Sequence, residues 1–195
     1  MKKLCAALVT ALALAACGQQ TTEKAEEAPA AEQAAVNNCP ASAEVVWVSA
    51  NGADYKAQAS TAGATCAAAT ATLTIRGPEN QELHTFSAPS RAILPLMNAA
   101  DQTAMQAALT TWITQTSQSM RTTAGLPNWI AASLQPEITA TRFYPEEGLT
   151  REQYLAIRTA ALPQMCYSQG REQWACVVLE NGAVRKIGLN TLTNN

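Results

Sequence analysis

A reactive centre in this chain would have to be assembled from six cysteines, a single histidine and a few neighbouring carboxylates. His84 lies between Leu83 and Thr85 in a stretch with strand character. Nucleophilic catalysis through it needs a serine or cysteine beside the ring and a carboxylate behind it. There is no Gly-x-Ser-x-Gly elbow, and His84 reads as a surface or packing residue. Glu146 and Glu147 adjoin in the predicted loop Tyr144-Pro145-Glu146-Glu147-Gly148 and are the first suspects for acid–base chemistry on sugars. Such chemistry requires two carboxylates at a set separation across the substrate, which adjacency in sequence does not create. A solvated loop leading to a helix N-terminus, where negative charge is favourable, accounts for them. Asn51-Gly52, Gly77-Pro78 and Asn181-Gly182 are turn signals and do not open onto helices, so no phosphate cradle is present.

The cysteines divide by position. Lys2 and Lys3 precede an uncharged, mostly apolar stretch of 13 residues from Leu4 to Ala16. That is short of the roughly 20 residues a membrane-spanning helix needs. It has the length of a signal-peptide core and ends in small residues. Leu14-Ala15-Ala16-Cys17 closes it and resembles the lipobox of bacterial lipoprotein precursors. The resemblance implies a signal peptide over 1–16 and a lipid-modified Cys17 as the first residue after cleavage. Gly18 stands where that family carries an aspartate as an inner-membrane retention signal in enteric bacteria, which points to the outer membrane. Several acyl chains, at about 0.8 kcal/mol per buried methylene, give firm anchoring where one chain does not. Cys5 is discarded with the leader.

Four cysteines then remain, Cys39, Cys66, Cys166 and Cys176, in an oxidising compartment, and an even number implies two disulfides. Cys166 and Cys176 are equally spaced about Arg171 in a turn-rich stretch between two strand-like runs, so they face each other across a hairpin. The runs Val45–Ala50 and Tyr55–Ala59 flank Asn51-Gly52, a strong hairpin signal that folds Cys39 back towards Cys66. The expected pairs are Cys39–Cys66 and Cys166–Cys176. With no C-x-x-C pair and no ligand spacing to His84, no metal centre, redox disulfide or cofactor is expected.

Residues 18–38 hold no aromatic side chain and are dominated by Ala, Glu and Gln. They cannot bury enough apolar surface to offset chain entropy. Residues 17–38 therefore read as lipidated cysteine plus disordered tether, reaching roughly 25 Å on average. Residues 39–195 have the size of one domain. The net charge of −2 becomes −4 without Lys2 and Lys3, and Glu23, Glu26, Glu27 and Glu32 against Lys24 carry −3 of it. A domain left near −1 lacks the basic footprint of a nucleic-acid binder.

The elements that must position any site follow from periodicity. Ala71, Leu73 and Ile75 alternate with threonines, the pattern of a half-buried strand. Leu83–Ser87 returns after Gly77-Pro78, giving a four-stranded meander over 45–87. Met105, Ala108, Leu109, Trp112 and Ile113 form one helical stripe capped by Asp101. A second helix is expected from Asn128 to before Pro136. A third begins at the Thr150/Gln153 capping box and stops at Pro163. Met165–Ser168, Trp174–Leu179 and Val184–Leu189 then make a C-terminal meander turning at Asn181-Gly182. The fold class is α+β, with antiparallel meanders around central helices.

Of the four tryptophans, Trp112 belongs to the apolar stripe. Trp129 and, after it, Tyr144 are the candidate exposed aromatics for a contact site. The function expected is a non-catalytic, outer-membrane-anchored module that binds an envelope protein or glycan. The alternative is a hydrolase of peptidoglycan or another envelope polymer using Glu146 or Glu147. Cys17→Ala is expected to leave an unprocessed or mislocalised precursor. Normal processing and acyl labelling of that variant in cells would overturn the lipobox assignment.

Overall fold

The computed structural model describes residues 38–50, 53–138 and 141–192. The leader, Cys17, nearly all of the tether and the Asn51-Gly52 turn lie outside the described residues. Among the described residues nine strands form two antiparallel sheets accompanied by two α-helices, a mostly-β α+β fold.

The first sheet is a meander of β1 (Ala41–Ala50), β2 (Ala53–Ala62), β3 (Thr70–Arg76) and β4 (Glu82–Pro89) in chain order. Its alternation places Ala57, Ala59, Ala71, Leu73 and Ile75 in the core. The alanines leave room for α1 (Gln102–Gln118), which packs on β1 and β2 and also on β7 of the second sheet. Asp101 caps α1 through Ala104 N–H at 2.8 Å, as expected. Met105, Leu109, Trp112 and Ile113 are buried, each large side chain contributing about 1.5–3 kcal/mol. Trp112 Nε1–H also donates to the Ser168 carbonyl at 3.1 Å, pinning the helix to the second sheet.

That second sheet has the order β5-β7-β8-β9-β6. The expected meander is its centre: β7 (Pro163–Ser168), β8 (Gln173–Glu180) and β9 (Ala183–Leu192). Asn181 and Gly182 both have positive φ, 51° and 79°, as a type I′ turn demands. Two short edge strands were not legible in the periodicity. β5 (Arg121–Thr122) pairs with β7, and β6 (Thr141–Pro145) pairs with β9. Tyr144 and Pro145 are thus strand residues and not the start of a loop.

Along β8 the side chains alternate between two cores. Ala175, Val177 and Leu179 face the first, shared with α1 and the first sheet, while Cys176 and Val178 face the second. The second core lies under α2 (Arg151–Ala160) and the segment around 126–129. Thr150 and Gln153 form the full capping box, and Ala161 in the left-handed region ends α2. Pro163 starts β7 and is not what stops the helix. No helix forms over 128–135, where the chain is turns and irregular backbone.

Both expected disulfides are present, Cys39–Cys66 and Cys166–Cys176. The second joins residues directly opposite each other on β7 and β8. Such crosslinks contribute about 2–4 kcal/mol each. Gly188 in β9 meets β6 so closely that an added Cβ would sit 2.7 Å from the Phe143 ring and against the Tyr144 carbonyl. Gly188→Ala is therefore expected to cost about 1–3 kcal/mol, seen as a lower midpoint in chemical denaturation. An unchanged midpoint would mean that β6 is free to move away.

Candidate functional site

The outer face of the second sheet is incompletely covered by α2 and the 125–129 segment. The gap is a groove of about 340 Å³, within the size range of small-ligand sites. Its floor draws on all five strands: Arg121 and Thr122 from β5, Gln164 and Cys166 from β7, Trp174 from β8, Asn190 from β9 and Phe143 from β6. It therefore runs across the strands. Gly125, Leu126 and Pro127 form the facing wall, and Ser119 closes one end.

That wall is irregular backbone, and α2 holds it in place. Arg151, Tyr154 and Arg158 occupy one face of α2, and each donates to a main-chain carbonyl. Arg151 Nε reaches Trp129 O at 2.7 Å, Tyr154 Oη reaches Pro127 O at 2.8 Å, and Arg158 Nε reaches Leu126 O at 2.9 Å. Burial of Tyr154 raises its hydroxyl pKa, which keeps it a donor. Thr123 adds a link to the helix by donating to Ile157 O at 2.6 Å. Carbonyls captured this way are satisfied without a helix of their own. This is why the apolar stretch after Pro127 does not coil. Instead Glu137 N–H bonds Asn128 O at 2.7 Å, and Trp129 Nε1–H bonds Ser133 O at 3.0 Å.

Polar groups inside the groove differ in how far they are satisfied. Ser119 Oγ accepts from Cys166 N–H at 3.0 Å and donates to the Cys166 carbonyl. Gln164, nine-tenths buried, donates through Nε2 to Cys166 Sγ at 3.3 Å. Asn190 Oδ1 is buried with no hydrogen-bond partner. A buried acceptor left unmet costs about 1–3 kcal/mol. Arg121 is exposed at the rim and forms no ion pair among the described residues.

The residues singled out in the sequence fall elsewhere. Trp129 is not an exposed aromatic: it is 9% exposed and stacks edge-on against Tyr154, with centroids 5.4 Å apart, inside the second core. Tyr144 is 39% exposed, but alternation along β6 turns it to the opposite face from Phe143. There Arg142 Nη1 donates to its hydroxyl at 3.1 Å, with the guanidinium 5.8 Å from the ring centroid. The two aromatics do not share a site. Trp174, Phe143, Asn190 and Arg121 were missed, because they meet only when distant strands are placed side by side. Exposed apolar residues do occur near Trp129, with Leu134 99% exposed and Ile130 and Ile138 about half exposed.

Glu146 and Glu147 border a surface depression of about 550 Å³ beside α2. Glu146 pairs with Lys186 at 2.9 Å, and Glu180, also on the border, pairs with Arg185 at 2.7 Å. Glu146 and Glu180 therefore each face a cation in a half-exposed pair, while Glu147 is in no ion pair among the described residues. His84 is half-buried where the sheets meet, its Nε2 2.8 Å from Tyr167 Oη. Among the described residues no serine hydroxyl or cysteine thiol is hydrogen-bonded to it.

No family model, curated protein or solved structure matches this chain.

Burial, reinforced by the Lys186 charge and opposed by Glu82, holds the His84 pKa below its ordinary 6.5. Tyr167, pushed up by burial and by Glu146, stays a neutral partner. Because the folded state favours uncharged His84, its contribution to stability is complete above pH 6.5. It is lost as pH falls from there towards the depressed folded-state pKa. Wild-type protein is expected to lose urea resistance more steeply than His84→Gln between about pH 7 and pH 5.5. Parallel profiles would show that His84 is not the linked group.

Proposed function

We propose that this protein is a non-catalytic binding module, anchored to the outer membrane through lipid on Cys17, that holds an envelope component in the groove across its second sheet. The observation that carries this reading is the groove itself: apolar and aromatic walls with exposed Arg121 and Thr122 at the rim. Binding sites characteristically combine apolar surface with a few converging polar groups. The alternative, a carboxylate-dependent hydrolase, has less support. Glu146 is engaged by Lys186 at the surface, and general acid–base work on a glycosidic bond needs two carboxylates free to face one substrate.

The proposed address agrees with the chemistry of the folded part. Two disulfides suit an oxidising compartment. Among the described residues no helix is long and apolar enough to cross a membrane, so attachment in this reading rests on the lipid alone.

A photo-crosslinking amino acid placed at Thr122, exposed on the rim of the groove, is expected to capture an envelope protein or glycan in intact cells. The same group at Glu79, exposed in the β3–β4 turn, is not. Equal capture from both positions, or cleavage of envelope polymers by the purified protein with no capture at all, would overturn the proposal.

A further inference from the structure

We infer that the loop from Asn128 to Glu137 rests on a lipid bilayer, with Leu134 and the flanking Ile130 and Ile138 entering the boundary between headgroups and acyl chains. The inference rests on the lipid anchor proposed above for Cys17 and gives the anchored domain an orientation. It is independent of what fills the groove.

The loop turns aliphatic side chains outward. Leu134 is 99% exposed, Ile138 50% and Ile130 48%. From 128 to 138 only Glu137 carries a charge, so little has to be stripped of tightly held water when the loop leaves it. The backbone is prepared for the same move. Asn128 O accepts from Glu137 N–H at 2.7 Å, closing the loop, and Ile130 O accepts from Ser133 N–H at 3.1 Å. Ser133 O takes the Trp129 indole N–H at 3.0 Å, and Gln135 O takes the Ser133 hydroxyl at 2.7 Å. Trp129 O takes the Arg151 guanidinium at 2.7 Å. Irregular backbone is costly to bring towards lipid, and each carbonyl met within the protein is one less to desolvate. Trp129 and Pro136 are buried, so the loop has its shape before it meets a surface, and docking does not have to order it.

The tether selects the occupant. Read from the sequence as a coil, residues 18–38 reach roughly 25 Å on average, and a domain of this size has a radius of gyration of about 15 Å. A domain held on so short a tether stays within about its own diameter of the bilayer. A weak contact is then well occupied, at the high effective concentration that linkage provides. Three aliphatic side chains on one loop suit that role. A freely diffusing protein partner binds stably over about 800 Å² of matched surface on each side, whereas apolar side chains enter the acyl boundary without shape matching.

The test uses the full-length, acylated protein, methyl-labelled at isoleucine, leucine and valine, on phosphatidylcholine nanodiscs carrying a nitroxide near the head of the acyl chain. Relative to discs without nitroxide, the Leu134, Ile130 and Ile138 methyl signals are expected to lose most of their intensity. Those of Val46 and Leu94, comparably exposed to Ile130 and Ile138 but on other elements, should keep theirs. Leu134→Asp changes a side chain with almost no packing to lose. It should cut the nitroxide broadening at Ile130 and Ile138 about tenfold and leave the rest of the spectrum unchanged. Uniform broadening of all five residues, no broadening at Leu134, or broadening that survives Leu134→Asp overturns the inference. Loop signals that ignore the nitroxide and shift with protein concentration would assign the loop to a second copy and overturn it too. The anchor reading falls on a different result, an acyl-free Cys17 peptide in the mass spectrum of protein isolated from cells. A chain that carries the acyl mass but shows an untouched Leu134 keeps its anchor and loses only the loop contact.

Discussion

Strands β7 and β8 are buried on both faces, and each face is the floor of a different hydrophobic core. One face closes against α1 and the first sheet, the other against α2 and the 126–129 segment. This double burial explains the unbroken run Ala175-Cys176-Val177-Val178-Leu179, where a sheet with one wet face would alternate with polar residues. The disulfide between Cys166 and Cys176 joins these two strands on the second face. Trp112 and Ser119, on α1 and at its end, tie the first layer to β7 by hydrogen bonds to Ser168 and Cys166.

The groove is a consequence of unequal covering. On the first face the 17-residue α1 supplies a stripe of large buried side chains from Met105 to Ile113. On the second face the cover is a ten-residue helix and a length of irregular chain, which together are too small to shield a five-stranded sheet. Irregular backbone can serve as a wall only if its carbonyls are met. Arg151, Tyr154 and Arg158 meet them from α2, so helix and wall form one rigid unit. What the cover does not reach is the outer end of the sheet, where Trp174, Phe143 and Asn190 lie together. A site placed there is preformed, and binding does not have to order it first.

Local chemistry made much of this architecture legible before any coordinates. Asp101 and the Thr150/Gln153 box act within one helical turn, and Asn181-Gly182 acts within two residues, so sequence patterns report them directly. Cys166 and Cys176 sit ten residues apart across one hairpin, and their pairing needs only the local fold. The helix expected over 128–135 failed for the opposite reason. Its apolar residues carry the right character, but the carbonyls near Trp129 are claimed by a helix that starts more than twenty residues later. Trp129, apparently stranded in a loop, is buried by the same capture.

The amino-acid sequence by itself determined the two meanders, both capped helices and the two disulfides, because each depends on turns and caps read from a few residues or on a pairing that those turns impose. Tertiary structure alone decided which face of the second sheet stays open and which residues line it. Arg121, Phe143, Cys166, Trp174 and Asn190 come from five strands in the spatial order β5-β7-β8-β9-β6, with β6 set beyond β9 by a pairing across nearly fifty residues. No period or spacing along the chain records that arrangement. It exists only where hydrogen bonding between distant strands and the limited reach of α2 are satisfied together.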